Sequence, residues 1–134
     1  MSLPEPVPAN VLRLHPVRVL LIGSDRRFLR VTGALLASEG HIVESSERPS
    51  ELLELVHRLR TEVAVIDAST SLARAARAAA SLRALPAPVA TVLVADHDRS
   101  SSLSGLSVVY KWGGFEELCR KVDEAYLWRC RACA

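Results

Sequence analysis

The chain has 134 residues, 49% of them hydrophobic, which suits one domain with a single core. A net charge of +2 is too small to argue for nucleic acid, and no apolar run approaches the roughly 20 residues of a membrane-spanning helix. Three cysteines, all late in the chain, do not make a disulfide framework and point to a reducing, cytoplasmic setting.

Residues 1–16 hold four prolines and no periodicity, and read as a flexible leader. Arg18 to Ile22 (RVLLI) is a continuous apolar run, as expected of a strand covered on both faces, and is taken as β1. Ser24 or Asp25 suits the N-cap of a helix α1 at about 26–39, which places Phe28, Val31, Leu35 and Leu36 on one stripe. Gly40 suits the position just past its end. His41 to Glu44 reads as a short β2. A helix α2 follows at 51–60, with Leu52, Leu55, Val56 and Leu59 inward. Val63 to Ile66 reads as β3, an Ala/Arg-rich α3 spans about 71–84, and Ala90 to Val94 follows as β4 after Pro86 and Pro88. The polar stretch 96–105 takes the α4 place as a short helix or a loop. Val108 to Tyr110 is β5. Gly113-Gly114 leads into α5 at about 115–129, with Phe115, Leu118, Cys119, Val122 and Tyr126 on one face. Five βα units imply an α/β fold: a flavodoxin-like, doubly wound parallel sheet of order 2-1-3-4-5 with helices on both faces.

Asp67 ends the run Val63-Ala64-Val65-Ile66, and Lys111 ends Val108-Val109-Tyr110. In an open parallel sheet, chemistry collects at the carboxyl ends of the strands. The pair resembles the phosphoacceptor aspartate and phosphate-contacting lysine of response-regulator receiver domains (CheY-like), and the resemblance covers 17–134. It implies a two-component signalling role of the bacterial type, a histidine kinase as a possible partner, and Mg²⁺ if Asp67 is phosphorylated.

The rest of that family's site departs from the pattern. Receivers carry an acidic pair at the end of the first strand, where this chain has Gly23 and Ser24. Mg²⁺ wants octahedral oxygen ligands, normally including one or two carboxylates. Only Asp25, one residue later, is acidic; it either caps α1, the expected role, or reaches inward. Aspartates at 23 and 24 are expected to restore metal affinity. The hydroxyl that ends β4 in receivers is replaced by Val94, the switch aromatic by Val108, and the proline after the lysine by Trp112. A trans Lys111-Trp112 bond is expected, because a cis bond before a non-proline residue costs about 2.5–4 kcal/mol. Asp67 and Lys111 also have a purely structural reading, as an ion pair tying β3 to β5.

The reading favoured on these residues is an atypical receiver, a pseudo-receiver without catalytic residues or a metal site. It works as a protein-interaction module through the α4-β5-α5 face, by a protein partner or by self-association. Tyr110, Trp112 and Trp128 are the interface candidates, since tryptophan is enriched at binding hot spots. A conventional phosphorelay receiver and a small flavodoxin-like ligand-binding domain or enzyme stay open as alternatives. Scattered arginines read as solvated helix faces, Asp96-His97-Asp98 as a polar loop, and Cys130-x-x-Cys133 as two thiols at a helix end rather than a zinc site. Whether the chain stands alone or belongs to a longer protein is left open.

Overall fold

A computed structural model describes residues 16–96 and 107–133. Nearly all of the leader, and nearly all of the α4 place with His97 and Asp98, lie outside the described residues. Five parallel strands form one sheet in the order β2-β1-β3-β4-β5, the doubly wound order expected. They are β1 (Arg18–Ile22), β2 (Ile42–Ser46), β3 (Val63–Asp67), β4 (Ala90–Ala95) and β5 (Ser107–Tyr110). The helices are α1 (Arg26–Ser38), α2 (Leu52–Leu59, after a 3₁₀ turn at Pro49–Glu51), α3 (Leu72–Arg83) and α5 (Phe115–Ala132).

Strand alternation divides the core in two. Val19, Leu21, Val63, Val65, Val92 and Val94 pack under α1 and α5 with Phe28, Leu36, Leu118 and Val122. Leu20, Ile22, Ala64, Ile66 and Leu93 pack under α2 and α3 with Leu52, Leu55, Val56, Ala79 and Leu82. Both sheet faces are therefore dry, which explains why β1, β3 and β4 read as unbroken apolar runs.

Two local expectations need correction. β2 begins at Ile42 and continues through Ser45 and Ser46, because the parallel ladder with β1 runs from Arg18–Ile42 to Ile22–Ser46. Pairing, not side-chain polarity, sets its end. On α1 the buried residues are Phe28, Leu29, Thr32 and Leu36, whereas Val31 is 45% and Leu35 40% exposed. The four-residue spacing 28-32-36 faces the core, so a threonine takes the inward place that apolarity alone would give to a neighbour. Gly40 follows α1 with a φ of 92°, the left-handed conformation that favours glycine.

Candidate functional site

The site lies where β1, β3 and β5 end. β4 separates β3 from β5, with Asp67 in register with Val94 and Ala95 with Tyr110. Lys111 follows β5, and its N–H donates to the Ala95 carbonyl at 2.7 Å. Its side chain crosses the end of β4 and donates from Nζ to Asp67 Oδ2 at 2.8 Å. The same Nζ lies 2.8 Å from Asp25 Oδ2. One ammonium thus stands between two carboxylates. The Lys111 and Asp67 side chains are 6% and 4% exposed, while that of Asp25 is 32% exposed.

Asp25 performs both of the roles weighed for it. Its Oδ1 accepts from the Phe28 N–H at 3.1 Å, capping α1, while Oδ2 turns inward to Lys111. The hydrogen bond from Lys111, then that from the Phe28 N–H, hold its carboxyl below the usual aspartate value. Burial works against the charged form of Lys111, but its hydrogen bonds to Asp25 and Asp67 outweigh that and raise its pKa above the ordinary lysine value.

Two further residues belong to the site and were not singled out in the sequence. Ser69 donates to Asp67 Oδ1 from its hydroxyl at 2.6 Å and from its backbone N–H at 3.0 Å. The signal was an Asp followed two residues on by Ser, the pattern of a side chain that bonds its own turn. Phe28 and Trp112 cover the ammonium, with ring centroids 5.2 Å and 5.5 Å from Nζ and the two rings edge-to-face at 6.3 Å. No sequence pattern marks such a cover, because it joins α1 to the loop after β5.

Gly23 is buried against Asp67: a Cβ built on it would lie 2.6 Å from the Asp67 Cβ. Aspartate at 23 therefore does not fit without displacement, so a gain of metal affinity from carboxylates at 23 and 24 would need Asp67 or its strand end to shift first. Ser24 is exposed, whereas Val94 is fully buried and Val108 packs on the α2/α3 side. The Lys111-Trp112 bond is trans, as no cis peptide occurs among the described residues.

The interface candidates separate. Tyr110 is 42% and Trp112 53% exposed. Together with Val31 and Leu35 they line one shallow groove between α1 and the start of α5. Trp128 is half-buried on the core and carries the Arg83 guanidinium 4.5 Å over its ring. No group of three or more His, Cys, Asp or Glu side chains is gathered as metal ligands among the described residues. No described helix is long and apolar enough to cross a membrane.

No protein-family model and no curated protein sequence matches the chain. Solved structures do. A CheY-like receiver domain protein from Methanospirillum hungatei JF-1 superposes with a TM-score of 0.71 at 18% identity, over 88% of this chain and 99% of that one. The receiver domain of the putative regulator NarL from Mycobacterium tuberculosis gives 0.64 at 20% identity, over 84% and 97%. A response regulator from Thermotoga maritima gives 0.70 at 10% identity, over 84% and 99%. With the strand order and the lysine-carboxylate cluster at the sheet edge, these matches give the chain the fold of response-regulator receiver domains.

Proposed function

We propose that the chain is an atypical receiver domain of a cytoplasmic signalling system, non-enzymatic, which binds a protein partner or its own copy without Mg²⁺-dependent phosphorylation. The commitment of Asp67 carries this reading. Both its oxygens are taken, Oδ1 by Ser69 and Oδ2 by Lys111. Phosphoryl transfer to a carboxylate needs a cation to neutralise the charge that builds on the transferring group. The residues present do not fit Mg²⁺. Gly23 offers no side chain and no room for one, Ser24 offers a neutral hydroxyl, and the Lys111 ammonium already stands between the carboxylates of Asp25 and Asp67. The replacement of the β4 hydroxyl by Val94 also leaves phosphate no polar contact there. A ligand shifts an equilibrium only through differential contacts with its two states.

The surface that supports partner binding is the exposed apolar groove of Tyr110 and Trp112, which gains Val31 and Leu35 from α1. It adjoins the β5 and α5 part of the face expected from the resemblance.

The test is incubation with acetyl phosphate and Mg²⁺, followed by intact-mass measurement. The unmodified mass is expected. Stoichiometric phosphorylation that disappears in Asp67→Asn would instead favour a conventional phosphorelay receiver, for which a histidine kinase is the expected phosphodonor.

A further inference from the structure

Six of the twelve residues of α3 are alanine. Ala75 and Ala78 line a gap on the α2 side, and Leu52 at the start of α2 lines it too. Side chains this short do not fill the space between two helices lying on one sheet. The floor is formed by Ile22 and Ile66, the last apolar residues of β1 and β3. The result is a cavity of about 280 Å³ beside Asp67, on the opposite sheet face from the Trp112 groove. That is near the lower end of the roughly 300–1,000 Å³ typical of small-molecule sites, which combine an apolar lining with a few convergent polar groups.

The polar groups are at the rim. Ser24, Thr70 and Arg74 line the cavity from the loops after β1 and β3 and from the first turn of α3. The Ser71 hydroxyl is spent on capping α3 through the Arg74 N–H. The Arg74 guanidinium takes part in no ion pair among the described residues. It stands at the N-terminal turn of a twelve-residue helix, where the backbone also favours negative charge. At the inner end, Asp67 is already held by Lys111 and Ser69, and two carboxylates to one ammonium leave surplus negative charge there. An anion is therefore repelled from the Asp67 end and drawn to the Arg74 end.

We infer that this cavity binds a small, mainly apolar molecule with one anionic group, its body on Ile22, Ile66 and Ala78 and its anion on Arg74. This site goes beyond the partner-binding reading and does not depend on it. The probe is 2-naphthoate, with neutral 2-naphthol as its comparison, titrated into the isotope-labelled protein and followed by amide NMR shifts. Saturable shifts centred on Thr70, Ser71 and Ala78 are expected. Arg74→Gln, an exposed position that leaves the core intact, should weaken naphthoate at least about tenfold, or about 1.4 kcal/mol, by removing a charged hydrogen bond, and leave naphthol unchanged. Ala78→Leu, checked for folding by circular dichroism, should abolish binding of both. The inference is overturned by absence of saturable binding, by shifts centred on Val31 and Trp112, or by full naphthoate affinity in Arg74→Gln.

Discussion

Lys111 serves two carboxylates with one ammonium, so the three side chains are not equivalent under mutation. Lys111→Met leaves Asp67 buried with no cation beside it, its remaining side-chain partner Ser69. Breaking a buried pair from one side costs about 3–5 kcal/mol. Asp67→Asn removes one of two carboxylates and leaves the ammonium bonded to Asp25. Urea unfolding at neutral pH should therefore show the larger loss for Lys111→Met; equal losses would mean that Asp25 does not hold the lysine. The pH dependence follows with opposite signs at the two ends. Asp25 is depressed below its ordinary 3.8, so its stabilisation is present at neutral pH and fades as pH falls below 3.8 through the lowered value. Lys111 is raised above its ordinary 10.5, so its stabilisation is complete below 10.5 and fades as pH rises through the raised value. Asp25→Asn should lower stability above pH 3.8, and its difference from wild type should shrink as the solution is acidified below that value. A difference that persists unchanged into acid would show that the charge of Asp25 is not its source, since asparagine caps the helix as well as aspartate does.

Between elements, the loop after β5 and the face of α1 make one apolar surface. Trp112 rests edge-on against Phe28 and is otherwise largely open, at 53% exposure. Its removal should leave the fold intact by circular dichroism while weakening partner or self-association by about 1–3 kcal/mol, the range of a hot-spot residue. Asp67→Ala, on the other hand, should leave association unchanged if binding is independent of phosphate. Sedimentation of both variants checks this, and the opposite result, loss of association in a folded Asp67→Ala but not in Trp112→Ala, would favour a phosphate-switched domain. The sequence showed Trp112 as an oddity where receivers have proline, but not its companions from α1. Val31 and Leu35 are apolar and near the right period, and only their placement one step around the helix from Phe28, Thr32 and Leu36 takes them out of the core.

Across the whole molecule, the parallel sheet was legible because burial on both faces writes continuous apolar runs, and Asp67 and Lys111 stood out as charges that end them. β2 was less so, since an edge strand that finishes in Ser45-Ser46 carries little apolar signal and is set by its ladder with β1. Ser69 and Phe28 were missed because their roles depend on a local turn and on contacts between distant segments. Gly23 was read only as a missing ligand, whereas the structure makes it the neighbour on which Asp67 is seated. That seating bears on which substitutions the site can accept one at a time. With Asp67 where it stands, aspartate does not fit at 23: its Cβ would meet the Asp67 Cβ at 2.6 Å. Gly23→Asp alone therefore meets a steric barrier, and a carboxylate at that place requires accompanying shifts in β1 or β3, so position 23 and the seat of Asp67 can change only together.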